Sequence, residues 1–221
     1  MDFEFDSSIR KRNKFAFGLY LFLKRTFDII TSLLGTIILS PLFLAIAIAV
    51  KADDGGRVFY KHERVGLRGK KIYIYKFRSM RENANEDLEK ILTPEQLRQY
   101  KTEYKVDDDP RITRVGSFLR KTSLDELPQF INIICGDLSL IGPRPLVESE
   151  LEMYGNAREK LLSAKPGLTG YWQVYARNTV GYENGERQRM ELYYVDHRSI
   201  GFDIKLFFRT FVSVLKKTGA K

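Results

Sequence analysis

The chain has 221 residues, 43% of them hydrophobic, and a net charge of +9 from 37 Lys and Arg against 28 Asp and Glu. That length suits one ordinary domain with appendages, and the charge favours anionic partners such as phosphorylated substrates, lipid headgroups or nucleic acid. A single cysteine, Cys135, excludes an internal disulfide and fits a reducing compartment, while two distant histidines, His62 and His197, give no basis for a zinc site.

Residues 1–23 form a basic and aromatic N-terminal segment, with Arg10, Lys11, Arg12 and Lys14 clustered ahead of apolar Phe15 to Leu23. Asp28 is the last charge before an uncharged run of 22 residues, Ile29 to Val50. As a helix this run would extend roughly 33 Å, enough to cross a hydrocarbon core. It is long for a signal peptide and lacks a clear cleavage site. Ser40-Pro41 interrupts it, and proline breaks or kinks a helix interior. Both flanks are basic, so the positive-inside rule gives no direction. Two readings follow: a re-entrant hairpin over residues 24–51 with both ends on one face, or a kinked single span.

Residues 52–221 read as the soluble domain. Arg57 to Glu63 and Lys70 to Arg78 are expected strands, joined as a hairpin through Gly66-Leu67-Arg68-Gly69. The spacing around Lys70 is wrong for a phosphate-binding P-loop. Residues 82–105 read as a polar helical insertion, with a capping box at Thr93-Pro94-Glu95-Gln96. Asp107-Asp108-Asp109-Pro110 suits a solvated turn or a metal ligand. Ser123-Leu124-Asp125-Glu126-Leu127-Pro128-Gln129 predicts a helix start, with Ser123 as cap and Glu126 completing a capping box. That helix would run from Asp125 to Cys135 and end at Gly136. Capping and catalysis both account for the paired carboxylates.

Leu138 to Ile141 is an expected strand. In Gly142-Pro143-Arg144-Pro145 the prolines stiffen the backbone around a cation. A helix is expected over Leu146 to Ala164, a turn over 165–170, an extended segment over Tyr171 to Val174 leading to Arg177-Asn178, and a helix over Glu186 to Val195. Residues 200–217 predict an amphipathic helix, lying in a membrane interface or packed on the core.

Five cations, Lys76, Arg78, Arg120, Arg144 and Arg177, punctuate the soluble part away from obvious helix faces. Guanidinium forks match phosphate oxygens, as would free N–H groups at a helix start near Asp125. Carboxylates among such cations are expected to be ionised with lowered pKa values. The combination fits phosphoryl transfer at a membrane surface, with an aspartate able to carry a phosphoryl group and Mg²⁺ as a suitable ion.

From Lys24 onward the chain resembles the bacterial sugar transferase family, the monotopic polyprenyl-phosphate phosphoglycosyl transferases. The resemblance rests on ordered motifs: Lys24-Arg25-Thr26-Phe27-Asp28, Ser40-Pro41, Lys76-Phe77-Arg78-Ser79-Met80, the stretch Leu119 to Gln129, Leu138 to Pro145, Lys165 to Gly170, and Gln173 to Asn178. It implies a small α/β fold, mostly α with a small sheet or hairpin. A re-entrant helix broken at Ser40 and Pro41 and a C-terminal interfacial helix would make it monotopic. The implied reaction moves a sugar-1-phosphate from a UDP-sugar to polyprenyl phosphate, releases UMP and starts a surface glycan such as an exopolysaccharide. Asp125 would be the nucleophile and meet Mg²⁺, Glu126 would assist, and Lys76, Arg78, Arg120, Arg144 and Arg177 would hold phosphates. The implied location is the bacterial cytoplasmic (inner) membrane, with the catalytic domain on its cytoplasmic face and membrane lipids as partners. The chain lacks further hydrophobic spans and so resembles the short, single-domain members. Its rivals are a non-catalytic basic membrane-binding module and a nucleic-acid binder, the latter disfavoured by the apolar run. The sugar and the homo-oligomeric state are not legible.

Overall fold

The computed structural model describes residues 14–215 apart from 83, 85–87, 104, 105, 107, 178 and 183. The expectations on residues 1–13, Asp107, Asn178 and 216–217 therefore lie outside the described residues.

Two helices dominate the N-terminal part, α1 (Lys14–Ile38) and α2 (Ser40–Asp54). They meet at a bend of 62°; neither helix alone is long and apolar enough to cross a membrane, whereas the bent pair is. The helix begins well before Lys24, so the aromatic residues from Phe15 to Leu23 belong to it rather than to a separate segment. The bend has a local cause. Pro41 has no N–H to give the carbonyl of Ile37. The hydroxyl of Ser40 takes that place, donating to Ile37 O at 2.8 Å. Ser-Pro thus breaks the helix without leaving the carbonyl bare in an apolar environment, where an unmet polar group is costly. Phe22, Ile30, Leu34, Ile37, Leu44 and Ile48 are exposed along the pair. With this bend, the fold is that of a monotopic, re-entrant element.

Pro41→Ala restores a donor for Ile37 and removes the reason for the bend. With Cys135 replaced, cysteines placed at Lys14 and Ala52 are expected to label from one side of a vesicle in the parent, and from opposite sides in Pro41→Ala. Opposite-side labelling in the parent would establish the kinked span instead.

The expected hairpin forms from β1 (Phe59–Val65) and β2 (Lys71–Phe77), antiparallel, with Tyr60 opposite Lys76 and Val65 opposite Lys71. Its turn uses Gly69 at φ +80°, a conformation glycine adopts without a Cβ penalty. Short helices α3 (Leu88–Ile91) and α4 (Pro94–Glu103) follow. The Thr93 capping box is formed, Thr93 N–H to Gln96 Oε1 at 3.1 Å and Gln96 N–H to Thr93 Oγ1 at 3.2 Å. Next come α5 (Arg114–Thr122) and α6 (Gln129–Cys135). A parallel pair then joins β3 (Ser139–Ile141) to β4 (Gly167–Thr169). Between those strands lie α7 (Glu148–Glu152) and α8 (Arg158–Leu162), where one continuous helix was expected. The break falls at Gly155, which sits at φ +48°. The chain ends in α9 (Tyr171–Tyr175), α10 (Glu186–His197) and α11 (Ile200–Leu215).

Residues 171–174 are helical rather than extended. Their β-favouring composition is overridden by tertiary packing: Trp172 is buried and its indole N–H donates to Val180 O at 2.9 Å.

The core sits between the hairpin, β3, α6 and the last two helices, around Ile72, Ile74, Ile133, Leu140, Tyr194 and Leu206. α11 packs one face on the core and leaves a second apolar face exposed. Leu206 is buried and Phe202 and Phe207 pack inward, while Ile204, Phe208, Phe211 and Val212 are exposed.

α1 is fastened to this layer by polar side chains. Lys24 Nζ donates to Asp203 Oδ2 and to Ile141 O, both at 2.8 Å. Arg25 donates to the carbonyls of Ile133 (2.5 Å) and Ile134 (2.8 Å), capping the end of α6. Asp28 Oδ1 accepts the Leu140 N–H of β3 at 2.9 Å.

Candidate active site

The paired carboxylates do not open a helix. Leu124–Glu126 is a single 3-10 turn, and α6 starts only at Gln129, after Pro128. Ser123 lies at φ +57°, and its side chain caps nothing; its N–H donates to Arg120 O at 3.2 Å. The serine closes α5 instead of opening α6, so the capping box expected at Ser123 and Glu126 is absent. The reason is the short connection: α5 must reverse within a few residues, and a left-handed residue does that. Asp125 therefore lies ahead of the first turn of α6 and not within it.

What the turn does provide is rigid placement. Asp125 is buried and Glu126 half-buried, both facing β2. Lys76 Nζ donates to Glu126 Oε1 at 2.7 Å and lies 3.8 Å from Asp125 Oδ2. The lysine's position is itself fixed by Asn132 of α6. Its side-chain oxygen accepts Tyr75 N–H at 2.8 Å and its amide donates to Tyr73 O at 2.7 Å. One asparagine therefore mimics a neighbouring strand and locks α6 to β2. Asn132 was legible only as a polar residue inside an apolar run, and nothing in the sequence gave its partner.

The two carboxyls diverge electrostatically. Burial pushes Glu126 upward, but Lys76 and Arg177, with Arg144 behind them, overcome it and hold the group at about 2. Asp125 goes the other way. Burial raises it, Glu126 adds to the rise, and Lys76, Arg120 and Arg177 only partly offset it. The expectation that both would be lowered is thus corrected for Asp125, because desolvation outweighs its cations.

Of the five predicted cations, Lys76, Arg120 and Arg177 act on Asp125, and Lys76, Arg144 and Arg177 act on Glu126. Arg120 is held by Ser79, its Nε donating to Ser79 Oγ at 2.9 Å. α5 approaches so closely here that a Cβ on Gly116 would lie 2.0 Å from Ser79 O. Arg78 is different. It is buried, forks onto both oxygens of Asp54 at the end of α2, and donates to Arg57 O and Met80 O. The structure does not bring it to the carboxylates. Asp109 is likewise committed, gripping Arg111 through Nε at 2.8 Å and Nη2 at 2.6 Å.

Among the described residues no group of three or more His, Cys, Asp or Glu converges on a metal position. The pair Asp125 and Glu126 does fit Mg²⁺, which takes one or two carboxylates and completes its shell with water and substrate phosphates. Asp125 is the better ligand of the two, since Lys76 already occupies a Glu126 oxygen.

An acidic pair ringed by cations, on a domain fastened to a bent apolar hairpin, suits phosphorylated ligands at a membrane surface. Residues 19–217 match the family model described as bacterial sugar transferase, and the chain belongs to that family. It is 45% identical over 199 residues to the exopolysaccharide production protein ExoY of Sinorhizobium fredii, covering 89% of this chain and 87% of that protein. It is also 45% identical over 214 residues to the undecaprenyl-phosphate galactose phosphotransferase of Salmonella typhimurium and to the UDP-galactose-lipid carrier transferase of Erwinia amylovora. Each alignment covers 96% of this chain, but the chain spans only 44% of either relative's length.

Proposed function

We propose that the protein is a polyprenyl-phosphate sugar-1-phosphate transferase that works through a covalent aspartyl intermediate. The observation that carries this reading is the asymmetric pair: Glu126 bound by Lys76, and Asp125 buried beside the same lysine without its hydrogen bond. A desolvated carboxylate is more basic than a solvated one and a stronger nucleophile once ionised.

In the first step an Asp125 oxygen attacks the β-phosphorus of a UDP-sugar. The P–Oδ bond forms, the bond from that phosphorus to the bridging oxygen breaks, and UMP leaves with the electron pair. In the second step a phosphate oxygen of polyprenyl phosphate attacks the same phosphorus, and Asp125 departs as carboxylate. The product is polyprenyl-diphospho-sugar. Glu126, anionic throughout, keeps Lys76 in place. Arg120, Arg144 and Arg177 bind and orient the phosphates. Arg78 serves the site from behind, by tying β2 to α2. Mg²⁺ held by Asp125 and the substrate phosphates would neutralise charge developing on the leaving group.

The reaction would take place at the cytoplasmic face of the bacterial inner membrane, where the exposed faces of α1, α2 and α11 meet lipid. The names of the similar proteins make UDP-galactose the first donor to try.

Purified protein with Mg²⁺ and undecaprenyl phosphate is expected to release UMP from one member of a panel containing UDP-galactose, UDP-glucose and N-acetylated UDP-sugars. Without the lipid acceptor, mass spectrometry should find the chain heavier by one sugar phosphate, on the peptide containing Asp125. UMP release with no covalent adduct would exclude the two-step route, and no release with any donor would exclude the activity.

A further inference from the structure

Arg144 is held from two directions. Its guanidinium acts on Glu126, whereas its backbone N–H donates to Glu191 Oε2 of α10 at 3.1 Å. Glu191 is 1% exposed. A carboxylate so deep is costly, and an apolar residue would pack there without that cost. Three residues on, the Val147 N–H donates to Glu150 Oε2 at 3.0 Å. The loop from 144 to 147 is therefore gripped at both ends by buried carboxylates, with Pro145 stiffening the middle. Behind Glu191, one turn back on α10, Arg187 is sandwiched between the rings of Trp172 and Tyr182, at 4.0 and 3.9 Å. That clamp fixes the side of α10 from which Glu191 projects. Gly142, just before the loop, is pressed so close to Lys165 O and Gly167 N that a Cβ would lie 2.4 and 2.7 Å from them. The loop has little freedom left except through its bond to Glu191.

We propose that Glu191 is a positioning residue: by holding the Arg144 amide it aims the Arg144 guanidinium at phosphates bound over Asp125 and Glu126. This rests on the active-site reading given above. Ionisation matters to the grip, since a carboxylate accepts an amide N–H more strongly than a neutral acid does. Burial raises Glu191 to about 7; Arg187 on its own helix and Arg144 on the facing loop pull it back, and Glu150 of α7 pushes it up. Tyr154, in the turn after α7, also faces it. Glu191 takes up a proton as pH falls through about 7, so the grip on Arg144 weakens below that pH.

The test uses the full chain in detergent, with Mg²⁺, UDP-galactose or whichever UDP-sugar proves active, and undecaprenyl phosphate. Glu191→Ala is expected to raise the KM of the substrate that Arg144 grips by about tenfold or more. Glu191→Gln, which keeps an acceptor oxygen, should recover much of that loss. The parent's kcat/KM should fall as pH drops from 8 to 6, and Glu191→Gln should lack that limb. Arg144→Ala combined with Glu191→Gln should be no worse than Arg144→Ala alone, the mark of one residue acting through the other. An unchanged KM in folded Glu191→Ala, or an unchanged acid limb in folded Glu191→Gln, would overturn the proposal, as would additive losses in the double variant. If Glu191→Ala does not fold, the Gln variant carries the decision. Failure of the underlying reading is separate: Asp125→Asn that still turns over refutes the site, whereas inactive Asp125→Asn beside a Glu191→Gln that keeps the parent's acid limb refutes this inference alone.

Discussion

Asp125→Asn is expected to lower UMP release by roughly four orders of magnitude, on the scale seen when a nucleophile is removed. The amide is nearly isosteric, so the turn at Leu124–Glu126 and membrane binding should survive. No sugar-phosphate adduct should form. The contrast with Glu126→Gln is informative. Glu126 receives the Lys76 hydrogen bond at 2.7 Å, and its loss frees the lysine rather than removing the attacking oxygen. Its variant should be impaired yet still accumulate adduct in single-turnover mass spectrometry. Should Glu126→Gln abolish the adduct while Asp125→Asn retains it, the two roles would have to be exchanged.

The second large effect concerns stability. Lys24→Met should destabilise the fold by about 3 kcal/mol, the lower end of what breaking a buried ion pair costs. Lys24 and Asp203 side chains are 13% and 10% exposed, so solvent cannot replace the lost partner. Among the described residues Asp203 would keep the hydroxyls of Tyr20 and Tyr194 as side-chain donors, at 2.9 and 2.8 Å. For a chain of this size the melting temperature should drop by roughly 6–12 °C in detergent. An unchanged melting temperature would mean that the tyrosines alone satisfy Asp203.

Lys24 also marks the boundary of what the sequence discloses. Local chemistry was readable. Alternating β-branched and aromatic residues announced the hairpin, Ser40-Pro41 announced the break, and Asp125-Glu126 stood out among motif cations. Long-range pairing was not readable. Lys24, Arg25 and Asp28 looked like the charged edge of an apolar run, yet each reaches more than a hundred residues along the chain to β3, α6 or α11. Arg78 looked like a phosphate ligand beside Lys76 and belongs to Asp54. Neighbouring strand residues point to opposite faces, but Lys76 and Arg78 are two apart; what separates them is that β2 ends at Phe77, so Arg78 leaves the sheet. The helix over 171–174 was missed because its residues favour strands and only the burial of Trp172 decides against that.

The hairpin's two limbs are both bolted to the catalytic layer: α1 through Lys24, Arg25 and Asp28, and α2 through the fork between Asp54 and Arg78. A hairpin anchored at both ends acts as a depth gauge. The bilayer cannot let the wedge sink or rise without carrying Asp125 with it. In the proposed reaction the carboxylate pair would therefore meet lipid phosphates at one set height, fixed by the hairpin's two attachments.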